Sequence, residues 1–265
     1  MDAKSWWRGE LEAVLDTIDQ MFPGAVRAVY LHGSRAESVA MPDSDVDLSV
    51  IVNTAGDMAQ VGRALSSRRL SSGQKLDAHV DTLELLEHPA YAFIAATLKY
   101  SGDLIRGEDV RASVAEPDYA SFKAVVVEQV RKGISMLRDL DRVEPPVDFP
   151  DASLPFFGYE IVRKVGWYPP GATDGTRELV AVSTYCASAW VVTHERAFVT
   201  SKAQAVEAIR RVENGERAHL VEQIYRLCRV KWAGCVPDDP DDRSLLRQLC
   251  ERFLALENEI LLLCS

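Results

Sequence analysis

The stretch Tyr30-Leu31-His32-Gly33-Ser34-Arg35, followed by Asp45-Val46-Asp47-Leu48, decides the architecture of the first half of the chain. Residues 25 to 32 are mainly apolar and β-favourable, so they predict a strand ending at Gly33. A residue with no side chain at that point lets the backbone come close to phosphate oxygens. Ser34 adds a hydroxyl donor, and Arg35 to Ala40 predicts a short helix whose N-terminal N–H groups and dipole favour an anion. Pro42 and Ser44 end it.

The next strand is predicted over Val46 to Val52. Its alternation puts Asp45, Asp47 and Ser49 on one face and Val46, Leu48 and Val50 on the other. Two carboxylates pointing the same way repel one another unless a cation lies between them. A hard divalent ion such as Mg²⁺, which takes oxygen ligands and keeps some of its waters, resolves the conflict. Asp-x-Asp and Gly-Ser are each common in surface loops, but the two together, each flanked by a strand in the correct apolar register, describe a phosphate-and-metal site.

A site that also performs chemistry needs a base within reach of the attacking hydroxyl. The segment Lys75 to Asp81 supplies one: Leu76, Ala78 and Val80 form its apolar face, leaving Asp77, His79 and Asp81 on the opposite one. Asp77 is the third acid in this reading. His79 is a lesser alternative as base or metal ligand, and Asp81 caps a helix that starts beyond Thr82. A phosphate-holding turn followed by paired carboxylates is the signature of nucleotidyl transfer.

These residues resemble the DNA polymerase β nucleotidyltransferase superfamily, in which a strand, Gly-Ser, a short helix, Asp-x-Asp and a third acid follow one another. Gly33, Ser34, Asp45, Asp47 and Asp77 match that pattern position by position. The resemblance implies that Ser34 and its turn, with Arg35, hold the triphosphate of ATP. It further implies that Asp45 and Asp47 bind two Mg²⁺ ions and that Asp77 serves as metal ligand or base.

Within the superfamily, a nucleotidyltransferase domain followed by a helical one resembles the bacterial aminoglycoside adenylyltransferases of the streptomycin and spectinomycin type. Lys75-Leu76-Asp77-Ala78-His79-Val80, Ser101-Gly102-Asp103-Leu104-Ile105-Arg106-Gly107 and Ser201-Lys202-Ala203-Gln204-Ala205 carry that likeness. Lys202 is then implied as a triphosphate contact. The group's arginine one helix upstream has no counterpart in register, and Trp232 stands nearest to its tyrosine.

The chain has 265 residues, 47% of them apolar, and no internal repeat, which is enough for two modest domains. Strand-like and helix-like segments alternate up to about residue 115; beyond it nearly everything reads as helix. The expectation is an α+β nucleotidyltransferase domain with a mixed β-sheet flanked by helices over 1–115, and an α-helical bundle over 116–265 that clamps nucleotide and substrate. The helices are expected over Lys4 to Phe22, Tyr119 to Asp141, Phe156 to Trp167, Thr176 to His194, Lys202 to Val212, Arg217 to Trp232 and Asp242 to Leu263. In the last, Leu245, Leu246, Leu249, Phe253, Leu256, Ile260 and Leu263 form a stripe that reads as core.

A formal charge of −10 without a Lys/Arg cluster argues against a polynucleotide partner. It suits a small cationic acceptor, for which Asp174 and Glu178 are the first candidate ligands, with Glu160, Trp167 and Tyr185 behind them. The five cysteines form no close metal-ligand pair and read as reduced, and no signal or membrane-length apolar run is present, so a cytoplasmic protein is expected. The reaction expected is transfer of AMP from ATP to an acceptor hydroxyl, an aminoglycoside first. The alternatives are another small molecule, a protein or a tRNA end as acceptor, or a nucleotide-binding regulator without turnover.

Overall fold

A computed structural model describes residues 6–41, 44–66, 68–70, 75–161 and 175–264. By compactness the chain divides into two units, Met1–Phe122 and Lys123–Ser265, each described on its own below.

The first unit is built on a four-stranded mixed sheet of β1 (Val26–His32), β2 (Val46–Val52), β3 (Leu76–Thr82) and β4 (Asp103–Gly107) in the order β3-β2-β1-β4. Helix α1 (Trp6–Met21) precedes β1, and α2 (Gly33–Ala36) follows it directly. Strand β2 pairs antiparallel with β1 and parallel with β3, and the parallel pair is joined through α3 (Ala55–Ser66), since two parallel strands need a crossover and cannot close with a tight turn. After β3 come α4 (Leu83–Leu86) and α5 (Ala92–Ser101), and β4 then returns to the free edge of β1 in antiparallel sense.

Strand alternation sorts the core into two layers. Val29 and Leu31 of β1 and Val46, Leu48, Val50 and Val52 of β2 face Leu11, Leu15 and Ile18 of α1 and Val61 and Leu65 of α3. Those α1 positions, spaced four and three apart, form a single helical stripe. On the opposite face Ala28, Tyr30 and Ile51 pack with Ala95 and Leu98 of α5. That second apolar patch covers only part of its face; the rest, toward the C-terminal end of β1, is polar.

The second unit contains most of α6 (Tyr119–Arg138), then α7 (Arg177–His194), α8 (Lys202–Val212), α9 (Glu216–Ile224) and α10 (Pro240–Leu263). Helix α7 is buried on nearly every side, while α10 buries Leu246, Leu249, Phe253, Leu256 and Ile260 as its spacing foretold; Leu263, expected in that stripe, is exposed. Within the α10 stripe lies a carboxylate, Glu257, paired with Arg138 at 2.7 Å and accepting a hydrogen bond from the Tyr159 hydroxyl.

Two helical expectations need correction. The described part of Phe156 to Trp167 is a series of turns: Phe157 and Gly158 take positive φ of 60° and 86°, and the Glu160 carboxylate accepts from the backbone N–H of Phe156 and Gly158. A side chain that satisfies backbone donors locally competes with helix formation. The helix expected through Trp232 stops being α-helical at Ile224 and continues as wider π turns over Tyr225–Lys231.

Candidate active site

The sequence places the turn where β1 ends. Gly33 has φ +68°, and a Cβ built on it would lie 2.2 Å from Asp47 Oδ2. Glycine suits the left-handed backbone here, and a larger residue would displace the Asp47 carboxylate that occupies the space. Ser34 follows, half-buried, in the short helix α2.

Register then assembles a row. His32, Asp47 and Asp77 are direct partners across β1, β2 and β3, and residues opposite each other in a sheet share a face. The next row inward is Tyr30, Ser49 and His79, and beyond it Ile51 stands opposite Asp81. Asp47 and Asp77 thus lie side by side at the polar end of the sheet. Asp45, half-buried, sits just before β2.

Arg35 does not reach outward from the turn. Its guanidinium is buried, donates to the backbone carbonyls of Ser44 (2.6 Å) and Asp45 (3.1 Å), and lies over the Trp7 ring at 5.1 Å. It ties the turn to the segment that carries the acids. Lys75 Nζ stands 3.3 Å from Asp77 Oδ1, a partly exposed pair that holds positive charge beside the third acid.

The electrostatics of the face are set by burial. Desolvation, aided by the neighbouring His79, pushes the His32 imidazole down to about 4, so the ring is neutral at physiological pH. Burial raises the Asp81 carboxyl above the usual range, with His79 opposing. His32 Nε2, Ser49 Oγ and Asp81 Oδ2 are all buried without a hydrogen-bond partner. These three escaped the sequence reading as site residues, although the period-two alternation already put Ser49 and Asp81 on the faces of the acids.

Among the described residues no group of three His, Cys, Asp or Glu side chains encloses a metal by itself. The paired Asp47 and Asp77 nevertheless suit Mg²⁺, which is commonly held by one or two carboxylates together with substrate phosphates rather than by an all-protein cage. The Gly33 backbone lies close against the Asp47 carboxylate, since a Cβ built on it would fall 2.2 Å from Asp47 Oδ2.

In the second unit Lys202 opens α8 behind the cap Ser201, whose hydroxyl accepts from the Gln204 N–H. Glu178 lies half-buried in the first turn of α7, and Tyr185 further along it. Glu160 is buried and bonded to backbone, and Trp232 donates its indole N–H to Asp242 at 3.0 Å. Asp174 and Trp167 lie outside the described residues.

A mixed sheet with Gly-Ser at the end of one strand and acids side by side on the next two is the framework of a nucleotidyltransferase. Residues 16–110 match the family described as Polymerase beta, Nucleotidyltransferase. Among solved structures the chain is similar to spectinomycin adenyltransferase AAD(9) from Enterococcus faecialis, determined with ATP and spectinomycin. The two share 12% identity over 92% of this chain and 99% of that one, with a TM-score of 0.40. No curated protein matches the chain.

Proposed function

We propose that the protein transfers AMP from ATP to a hydroxyl of a small cationic acceptor, an aminoglycoside before any other, and releases pyrophosphate. The observation that carries this reading is the side-by-side placement of Asp47 and Asp77, with the Gly33 backbone closed against the Asp47 carboxylate. A turn closed against one of two neighbouring acids suits a substrate bringing both phosphate and divalent cation.

In this mechanism the Gly33–Ser34 turn binds the triphosphate through backbone N–H and the Ser34 hydroxyl. Asp47, with Asp45, holds the cations, and Arg35 fixes the segment on which both stand. Two Mg²⁺ ions, when bound, neutralise the phosphates and lower the pKa of the attacking hydroxyl. Asp77 accepts that hydroxyl's proton as its oxygen bonds to the α-phosphorus and the bond to pyrophosphate breaks.

Residues 116–265 are assigned to clamping nucleotide and acceptor. Lys202, in the first turn of α8, is assigned to the triphosphate from the resemblance of its segment. Glu178 is assigned to acceptor ammonium groups. The cysteines Cys186, Cys228, Cys235, Cys250 and Cys264 are all free, which fits the cytoplasmic setting we assign. Among the described residues no helix is long and apolar enough to cross a membrane.

The test is incubation with each nucleoside triphosphate, Mg²⁺ and a panel of aminoglycosides, with mass spectrometry for added AMP. Asp45→Asn and Asp47→Asn should each abolish product, and Asp77→Asn should cut turnover at least ~100-fold with nucleotide binding nearly intact. Undiminished turnover in the first two variants would refute the assignment.

A further inference from the structure

Three of the buried polar atoms that lack a hydrogen-bond partner, His32 Nε2, Ser49 Oγ and Asp81 Oδ2, belong to one face of one sheet. They run along a diagonal. His32 stands in the acid row beside Asp47; Ser49 is one row inward on the central strand; Asp81 is one row further on β3. Ser49 is 1% and Asp81 5% exposed, so bulk solvent does not satisfy them.

An unsatisfied buried polar group costs free energy, and folded proteins avoid such groups wherever packing alone decides. The opposite face of the same strands is lined by Val46, Leu48, Val50 and Val52, which shows what this sheet does when only packing is at stake. A line of uncompensated polar atoms leading to the row of Asp47 and Asp77 therefore has a use at that row. Buried water, which typically makes about three hydrogen bonds to such groups, is the ligand of matching chemistry.

We propose that His32, Ser49 and Asp81 form a polar floor that holds ordered water beneath the acid row and, through it, orients the Asp47 and Asp77 carboxylates toward a divalent cation. All three are positioning residues. The floor deepens the functional reading above and rests on it for the identity of the acids as cation ligands. Groups that orient metal ligands through hydrogen bonds commonly change metal affinity ~10-fold or more when lost.

The experiment uses the full chain with Mn²⁺ as probe, and the variants Ser49→Ala, Asp81→Asn and Ser49→Thr. Both Ser49→Ala and Asp81→Asn alter a buried group that water satisfies in this proposal, so each should leave Tm within about 4 °C of the wild type. In the same two variants Mn²⁺ affinity, by calorimetry, should fall about 10-fold, and kcat should fall with KM for ATP within about twofold. Ser49→Thr, which keeps the hydroxyl, should restore both affinity and kcat.

A raised Tm with unchanged Mn²⁺ affinity would overturn the proposal, because the three atoms would then be unfavourable burials without a task. A lowered Tm with unchanged affinity would overturn it as well, making them ordinary structural groups. Wild-type protein that binds Mn²⁺ and transfers no nucleotide sinks the functional reading alone, since the affinity ratio still judges the floor. Wild-type protein that binds no Mn²⁺ sinks both.

Discussion

Gly33 and Asp47 are fitted to each other so closely that a single carbon added to the glycine would fall 2.2 Å from Asp47 Oδ2. Gly33→Ala should therefore cost twice: about 1 kcal/mol of stability for an alanine at positive φ, and at least ~100-fold in turnover from displacement of the carboxylate. Gly24 separates the two effects, because its φ is +73° and nothing lies within 4 Å of its Cβ position. Gly24→Ala should lower stability by a similar amount and leave turnover intact, as thermal unfolding and an AMP-transfer assay would show.

Arg35 is expected to behave as a brace. Its guanidinium spans two carbonyls, those of Ser44 and Asp45, which a lysine ammonium cannot do with the same fork geometry. Arg35→Met should cost roughly 2–3 kcal/mol in urea unfolding and reduce turnover, and Arg35→Lys should recover only part of either. Full recovery of turnover by lysine would show that charge alone, not the two-carbonyl geometry, is what the position needs.

His32 gives the fold a pH signature. Its imidazole titrates near 6.5 when unfolded and is held down to about 4 in the native state, so the native state binds fewer protons between those values. The stability it contributes is fully present above pH 6.5 and is lost as pH falls toward and through 4, about 3 kcal/mol in all. Urea midpoints measured without metal should thus fall more steeply over that window in the wild type than in His32→Phe. Parallel curves would contradict the neutral buried ring.

The Arg138–Glu257 pair is 4% and 0% exposed at the side chains. Arg138→Met should destabilise by about 3–5 kcal/mol because it strands a buried carboxylate, whereas the double variant Arg138→Met, Glu257→Met should regain most of that loss. A double-mutant cycle in urea reads the difference directly. Additive losses would mean that solvent already reaches the pair.

Strand identity in the first unit was legible because alternation on β2 and β3 separates valines and leucines from acids without ambiguity. The pairing that makes Asp47 a neighbour of both His32 and Asp77 was not, since one antiparallel and one parallel ladder are tertiary facts. Arg35 was read as a phosphate ligand because it follows the turn, and only the fold reveals the carbonyls it meets ten residues on. Phe156 to Ile161 carried a helix-like apolar pattern that the Glu160 carboxylate overrules. Glu257 drew no reading from the sequence, because its partner Arg138 lies 119 positions away in the chain.

Trp7 supports the Arg35 guanidinium from α1, yet it lies upstream of residues 16–110, the segment that matches the family. An engineer who cut the domain at the start of that match would remove the surface on which the arginine rests while keeping every signature residue. The smallest portable version of this site accordingly begins at the N-terminal helix, and truncations meant for crystallisation or for grafting the acids onto another scaffold should retain it.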